Sequence, residues 1–130
     1  MSLGYKHYRK LLDTFLVFLR QKLGDSLISV VLYGSVARGE ARLRSDIDLL
    51  IIVKDASNEY FLRLEPILKT EKLLKRTEAY NRLCSKDGVR PYVSYLVLSL
   101  EEAQENRYIY LDMIEDSIII FDRNNFFEKK

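Results

Sequence analysis

The segment "DIDLLIIV", from Asp46 to Val53, constrains the fold more than any other part of the 130-residue chain. Side chains on a strand alternate between two faces, so the continuous apolar run after Asp48 is apolar on both faces. Strands with this pattern lie in the middle of sheets that are covered on both sides. The segment therefore predicts a central strand in a sheet packed between helices.

Apolar periodicity and capping residues predict the helices. Ser99 and Glu102 match the Ser-x-x-Glu capping box, which marks the start of a helix. Pro66 is tolerated in a first helical turn but not deep inside a helix, so the second helix is either continuous or begins as a short turn with its main part from Pro66. The predicted helices are Tyr5–Leu23, Ser57 or Asn58 to about Cys84, and Ser99 to about Glu115.

Three more segments are rich in β-branched and apolar residues and predict strands: Ser26–Gly34, Tyr92–Ser99 and Ser117–Asp122. Gly34–Ser45 reads as a loop that contains at most one helical turn, and residues 85–91 read as a turn. The order predicts an α/β (α+β) fold, with a small mixed β-sheet of about four strands covered by helices. Residues 1–130 are expected to form one domain, with a loose tail at 124–130.

Composition excludes several classes of protein. No apolar run reaches the ~18–20 residues that a membrane span requires. Met1–Lys10 lacks the apolar segment of a signal peptide, so a cytoplasmic location is expected. The net charge of +2 makes nucleic-acid binding an unlikely function. The single Cys84 cannot form an internal disulfide, and the single His7 gives almost no support to a histidine-based centre.

Asp46 and Asp48 open the central strand and are the first candidate functional residues. Their side chains point to the same face, roughly 6–7 Å apart along the strand. Two carboxylates this close destabilise each other unless a cation lies between them. Mg²⁺ prefers such oxygen ligands, usually one or two carboxylates together with substrate phosphates. Asp-x-Asp alone is more typical of a solvated strand end, so the pair needs support from its surroundings.

The loop before the pair supplies that support. Gly34 allows the backbone to approach a ligand closely, and Ser35 offers a hydroxyl and a backbone N–H to a phosphate. Arg38 is placed to make a charge-assisted contact with phosphate oxygens. Gly-Ser alone usually forms a turn. A strand, Gly-Ser, ten residues and then Asp-x-Asp on a second buried strand form a far more demanding arrangement, which favours a metal–phosphate site.

The stretch "YGSVARGEARLRSDIDLLIIV", from Tyr33 to Val53, resembles the signature of the DNA polymerase β-like nucleotidyltransferase superfamily, in particular its minimal prokaryotic members. The resemblance implies transfer of a nucleoside monophosphate, AMP if the donor is ATP, from a triphosphate to a hydroxyl. It implies two Mg²⁺ ions held by Asp46 and Asp48. It also implies that Gly34 and Ser35 cradle the β- and γ-phosphates, with Arg38 as an auxiliary contact.

One part of the family pattern is absent. Catalytic members carry a third carboxylate on a later strand, and "VSYLVLS" places Ser94 there. A neutral hydroxyl can neither balance metal charge nor take a proton from an attacking hydroxyl. The alternative function is therefore a catalytically weakened module that binds a nucleotide or a partner. Four tyrosines are able to stack on bases, but in a strand and a helix they are more typical of half-buried packing residues: Tyr92, Tyr95, Tyr108 and Tyr110.

The resemblance also bears on partners. Minimal members resemble one half of toxin–antitoxin pairs, whose other half is an all-helical HEPN-type protein. This implies a tyrosine hydroxyl of such a partner as acceptor, with the present chain as antitoxin. A domain of about 15 kDa has little room for a separate acceptor pocket, so a partner or a homo-oligomer is expected.

Overall fold

The computed structural model describes residues 3–42, 45–86, 88–105 and 116–128. Helices and strands alternate along most of the chain, as the sequence predicts. Short 3₁₀ turns precede the first strand at Gly24–Ser26 and follow the last at Arg123–Asn125. The elements are α1 Tyr5–Leu23, β1 Leu27–Tyr33, α2 Gly34–Ala37, β2 Asp46–Val53, α3 Tyr60–Leu74, α4 Glu78–Lys86, β3 Tyr92–Ser99, α5 Leu100–Glu105 and β4 Ile118–Asp122.

The strands form one mixed sheet in the order β3-β2-β1-β4. β1 pairs antiparallel with both β2 and β4, whereas β2 pairs parallel with β3. The parallel pair requires a crossover connection, which α3 and α4 supply. The predicted mixed four-stranded sheet is confirmed, and β2 has a neighbour on each side, as its double-sided apolar pattern predicts.

Two apolar clusters lie on opposite faces of the sheet. The larger joins α1, α3 and α4 to alternate residues of β2 such as Ile47, Leu49 and Ile51. The smaller joins Leu50 and Ile52 to α5 and the C-terminal segment. All residues of β2 from Leu49 to Ile52 are fully buried. The strand is therefore held from both faces, which makes its first residues a rigid mount for side chains.

α1 is amphipathic, because its buried residues recur every three or four positions along one face. Leu11, Phe15 and Leu19 face the larger cluster, while the opposite face carries charged residues and the exposed Val17. Neither α1 nor any other helix in the described ranges has the length and apolarity to cross a membrane.

The region between β2 and β3 is neither one continuous helix nor a short turn followed by a main helix from Pro66. α3 already begins at Tyr60 and passes through Pro66, and it ends at Leu74. A separate α4 starts after a turn at which the Thr77 hydroxyl accepts a hydrogen bond from the Tyr80 N–H at 3.3 Å. A single helix from residue 58 to Cys84 was therefore wrong, and so was a main helix that begins at Pro66. Burial of Ile67, Thr70 and Leu74 stabilises the helix around the proline.

α5 begins where the capping box predicts. The Ser99 N–H donates to Glu102 Oε1 at 2.9 Å, and the Glu102 N–H donates to Ser99 Oγ at 3.1 Å. The remainder of the predicted helix, residues 106–115, lies outside the described residues. The helical turn considered for the loop after β1 is present as α2.

Residues 124–128 do not form the loose tail that was expected. Phe127 is buried in the smaller apolar cluster. Asp122 anchors the segment, because its carboxylate accepts hydrogen bonds from the N–H groups of Phe127 at 2.9 Å and Glu128 at 3.0 Å, and from the Ser29 hydroxyl at 2.6 Å. Residues 129 and 130 lie outside the described part of the chain.

Candidate active site

The two aspartates lie where β2 enters the sheet. Ile47 between them is fully buried in the larger cluster, so Asp46 and Asp48 point to the opposite face. Asp48 is half-buried and Asp46 is exposed. Asp48 pairs in register with Tyr33 on β1 and with Ser94 on β3. The pair is thus flanked by the end of β1 on one side and the start of β3 on the other.

Gly34 lies directly against Asp48. A Cβ atom built on Gly34 would collide with the Asp48 carboxylate, with its Cγ only 3.1 Å away, and the φ angle of +77° is one that other residues rarely adopt. Glycine therefore permits two features at once: the sharp turn from β1 into α2, and close approach of the backbone to the acid. The structure brings the Gly-Ser loop and the Asp-x-Asp pair together, as their spacing predicts.

α2 carries the other loop residues. The buried Val36 anchors this single turn in the larger cluster, which leaves Ser35 at the turn's start, partly exposed. The Ser35 carbonyl accepts a hydrogen bond from the Glu40 N–H at 2.8 Å, which closes the loop. Arg38 follows α2 and its Nε lies 3.3 Å from Glu40 Oε2, with both side chains exposed. An exposed pair of this kind is weak, so an anionic ligand can compete for the guanidinium.

The electrostatics of Asp48 reflect this arrangement. Burial raises the pKa of the Asp48 carboxyl, the charge of Asp46 raises it further, and the charge of Arg38 acts in the opposite direction without cancelling the rise. Burial and the nearby Asp48 charge also raise the pKa of the Tyr33 hydroxyl. The site therefore holds negative charge at a cost, which a bound cation would remove.

Ser94, the residue expected at the position of a third carboxylate, lies beside Asp48 in the sheet. Its parallel pairing with Asp48 puts both side chains on one face of adjacent strands. Within the described ranges, no group of three or more His, Cys, Asp or Glu residues is arranged to hold a metal ion. The expected position of Ser94 beside the pair is thus observed, and the chemistry there is a neutral hydroxyl.

Tyr92 is the residue near the site that sequence reasoning misjudged. It pairs in register with Asp46 and shares a strand face with Ser94. Its side chain is 67% exposed, so it is not the half-buried packing residue that was expected. Tyr95, on the opposite strand face, does pack as expected, with its ring 6.0 Å from that of Phe15. The signal was available, because alternation from Ser94 assigns Tyr92 to the site's face.

His7 and Cys84, for which the sequence predicts no catalytic role, lie on other elements than the aspartate pair. His7 Nδ1 accepts a hydrogen bond from the Gly4 N–H at 3.1 Å and so helps to begin α1. Cys84 is partly buried in α4. It lies close to Tyr80, whose hydroxyl has a pKa raised by burial first and by Cys84 second. Neither residue lies on the elements that carry the aspartate pair.

The donor set suits magnesium. Two carboxylates on one strand face supply the hard oxygen ligands and the negative charge that Mg²⁺ requires. Burial, followed by the charge of Asp46, raises the pKa of Asp48, so the ionised pair gains from a bound cation. The absence of a side chain at Gly34 allows the Asp48 carboxylate to approach the start of α2, so the Gly-Ser turn and the aspartate pair adjoin. Asp46 and Asp48 are the residues that would hold such an ion.

The sequence matches the family model of the nucleotidyltransferase domain over residues 12–110. This range contains the Gly-Ser loop, the aspartate pair and Ser94. The chain therefore belongs to the nucleotidyltransferase domain family, a class of transferase enzymes.

One curated relative is "Putative protein adenylyltransferase MJ1305" from Methanocaldococcus jannaschii. It is 52% identical over 50 residues, which cover 38% of this chain and 34% of the relative. The chain thus matches about a third of that relative's length.

Solved structures share the fold. A "putative nucleotidyltransferase" from Sulfolobus solfataricus aligns with a TM-score of 0.54 at 20% identity, covering 92% of this chain and 86% of that one. A tyrosine-to-alanine mutant of the toxin–antitoxin MntA–HpeT aligns with a TM-score of 0.57 at 17% identity, covering 91% and 77%. A toxin–antitoxin structure with AMP-PNP aligns with a TM-score of 0.51 at 17% identity, covering 90% and 77%.

Proposed function

We propose that this chain is a Mg²⁺-dependent nucleotidyltransferase that transfers AMP from ATP, or the corresponding monophosphate from another triphosphate, to a hydroxyl group of a protein. The packing of Gly34 against Asp48 carries the proposal, because it joins a phosphate-binding turn to a metal-binding carboxylate with no side chain between them. The name of the relative MJ1305 supports AMP as the transferred group and a protein as the acceptor.

Each residue of the loop has a role in this proposal. Gly34 and Ser35 hold the β- and γ-phosphates, and Arg38 exchanges its weak contact with Glu40 for a phosphate oxygen. Asp46 and Asp48 would hold two Mg²⁺ ions, which would neutralise the negative charge that develops during the transfer.

In this proposal the two reactants approach the aspartate pair from opposite sides. Attacking and leaving oxygens lie roughly in line on opposite sides of the α-phosphorus. With pyrophosphate held by α2, which follows β1, the acceptor hydroxyl approaches from the β3 side, where Tyr92 and Ser94 lie. The acceptor oxygen bonds to the α-phosphorus, the bond to the bridging oxygen breaks, and pyrophosphate leaves. The hydroxyl proton passes to solvent, because Ser94 is no base.

The toxin–antitoxin neighbours support a partner protein as the source of the acceptor. We propose an all-helical HEPN-type toxin that offers a tyrosine hydroxyl, with the present chain as antitoxin. Modification of the chain's own copies in a homo-oligomer is the variant of this proposal that needs no second gene product. Both fit a small domain whose acceptor side, at Tyr92, is open to solvent.

Labelled ATP tests the reaction directly. The purified chain, alone and with a co-purified partner, is incubated with Mg²⁺ and ATP labelled at the α- or at the γ-phosphate. Adenylylation leaves the α-label, but not the γ-label, on a protein band. Asp46→Asn with Asp48→Asn is the inactive control. Equal labelling by both nucleotides, or labelling that survives in the control, contradicts the proposal.

The second candidate is a binding module without turnover, and the neutral Ser94 is the observation that favours it. Its expected result is tight Mg²⁺-ATP binding by calorimetry, with no α-label on any protein, whether or not the partner is present.

A further inference from the structure

A groove on the face of the molecule that α1 and α4 share has no assigned role. Its volume is about 320 Å³, and it lies between the first two turns of α1 and the exposed side of α4. Its apolar lining consists of Leu11, Ala79 and Leu83, of which both leucines belong to the larger core cluster. The groove therefore has a firm apolar floor that is long enough for one or two side chains.

The rim of the groove is basic. Lys6, Arg9 and Lys10 line it from α1 and Arg82 lines it from α4, while no acidic residue does. Four cations in one groove contrast with a net charge of +2 for the whole chain. All four side chains are exposed. The groove is therefore locally basic, although the chain as a whole is nearly neutral.

Two of the four cations have anionic neighbours just outside the groove. Arg82 forms an ion pair with Glu78 at 2.9 Å, and Arg9 lies 3.8 Å from Asp13. Lys6 and Lys10 form no ion pair within the described ranges of the chain. They lie four positions apart on one helical face, so both can reach the same anionic ligand.

The groove is also tied to the candidate active site. Leu3, just before α1, exchanges two backbone hydrogen bonds with Ala41, at 2.6 and 3.0 Å. Gly4 packs against Gly39, where an added Cβ would lie 3.2 Å from the Gly39 Cα. The α1 wall of the groove is therefore braced on the loop that follows Arg38.

The lining narrows the chemistry of the ligand. Among the lining residues that the structure describes, His7 alone is aromatic, and a single ring cannot stack the successive bases of a nucleic-acid strand. A continuous phosphate backbone would have to pass the flanking Glu78 and Asp13, whereas a short segment needs to place its carboxylates only at Lys6 and Lys10. An apolar floor with separated cations on its rim instead matches an amphipathic segment that has one apolar side chain and carboxylates around it.

We propose that this groove binds a short acidic segment of a protein partner, with one apolar residue on Leu11 and Leu83 and carboxylates at Lys6 and Lys10. That this partner is also the acceptor of the transfer rests on the proposed function. The preference of the groove for an acidic peptide over RNA is independent of the proposed function.

The test uses three fluorescein-labelled probes on the full chain: a ten-residue peptide of glutamates with one central leucine, the same peptide with glutamine for glutamate, and a ten-nucleotide oligouridylate. The acidic peptide is expected to bind most tightly by fluorescence anisotropy. Lys6→Glu with Lys10→Glu should weaken it at least about tenfold, because like charges now face the ligand. Lys54→Glu with Lys72→Glu, the same charge change at exposed lysines outside the groove, should weaken it much less.

Three results overturn the groove proposal: no binding of the acidic peptide, equal weakening by both lysine pairs, or tighter binding of oligouridylate than of peptide. Thermal unfolding of both variants checks that each is folded. Mg²⁺-ATP binding, measured on the same samples, separates the two proposals. A chain that binds the peptide through the groove but binds no nucleotide refutes the proposed function and leaves the groove assignment standing.

Discussion

The two sides of Asp48 are built differently. On the α2 side, Gly34 packs against the carboxylate and Arg38 adds a compensating charge. On the β3 side, the paired residue is the neutral Ser94, and the next residue on that face, Tyr92, is exposed. The α2 side is thus crowded and charged, and the β3 side is open and neutral. This contrast predicts that the chain binds nucleotide well and turns it over slowly without help from a partner.

The β3 side is nevertheless held in place, because side chains cap the outer edge of β3. The Tyr60 hydroxyl donates to the Tyr95 carbonyl and accepts from the Val97 N–H, both at 3.1 Å. Arg63 donates to the Val97 carbonyl at 2.9 Å and to Glu102 at 2.8 Å. These contacts satisfy edge groups that otherwise invite another strand. They hold the strand that carries Ser94 without contributing charge to the site.

The largest expected effect is the loss of Mg²⁺-ATP affinity when Asp46 or Asp48 is replaced. Asp46→Asn or Asp48→Asn should weaken Mg²⁺-ATP binding by roughly 100-fold or more, because even residues that only support metal ligands are worth about 10–100-fold. Isothermal calorimetry measures the loss, and circular dichroism checks the fold. If both variants bind Mg²⁺-ATP as tightly as the parent, the two aspartates do not form the metal site. The contrast between the α2 side and the β3 side then has no bearing on nucleotide binding.

The next effect concerns the missing acid. Ser94→Asp should raise Mg²⁺-dependent transfer by about 100-fold, the lower range of general acid–base catalysis, because an acid beside Asp48 can accept the attacking proton. Ser94→Asn, similar in size but uncharged, is the matched control. The idea that Ser94 limits the reaction is wrong if the parent alone already transfers nucleotide at ordinary enzyme rates. It is also wrong if Ser94→Asp and Ser94→Asn have the same transfer rate.

Two glycines isolate the close contact on the α2 side. Gly34 and Gly39 have similar φ angles, +77° and +74°, but an added Cβ meets Asp48 only at Gly34. Each change to alanine should cost about 1–2 kcal/mol of stability from left-handed strain. Gly34→Ala should cost more and should also weaken ATP binding. Urea unfolding and calorimetry measure both quantities, and equal losses at the two positions would mean that the contact with Asp48 is unimportant.

Within the loop, Arg38 is expected to matter more than Ser35. Hydrogen bonds to charged groups contribute roughly 1.5–3 kcal/mol, compared with about 0.5–1.5 kcal/mol for a neutral donor. Arg38→Ala should therefore weaken triphosphate binding more than Ser35→Ala, and Glu40→Ala should not weaken it, because Glu40 competes for the guanidinium. If Arg38→Ala binds as tightly as the parent, the arginine contributes to structure or to the acceptor side.

The smallest effect is on stability without metal. Because the pKa of Asp48 is raised in the folded state above its usual 3.8, the ionised carboxylate costs stability at pH values above the folded pKa. The cost shrinks as the pH falls through that pKa and is absent below 3.8. Asp48→Asn should therefore stabilise the metal-free protein at pH 7 but not at acidic pH. Denaturant unfolding at both pH values, with the exposed Asp55→Asn as control, tests this sign, and a gain that persists in acid would contradict it.

Sequence alone determined the elements whose residues carry local or periodic information. The double-sided apolar run after Asp48 identified the central strand, alternation put Asp46 and Asp48 on one face, and Ser99 with Glu102 marked the start of α5. These patterns succeed because strand alternation and helix capping depend on residues only a few positions apart. The meeting of the Gly34 turn with the acids also follows, since β1 and β2 are joined by a short loop.

Only the tertiary structure decided features that depend on distant partners. α3 continues through Pro66 because Ile67 and Leu74 are buried against other elements, and the chain breaks at Thr77 instead. Residues 124–128 are ordered because the Asp122 carboxylate, more than 90 residues from its partner Ser29, anchors them. The place of Ser94 beside Asp48 depends on the parallel register of β2 and β3, strands separated by two helices. Burial and strand pairing are properties of the assembled chain, and no local pattern contains them.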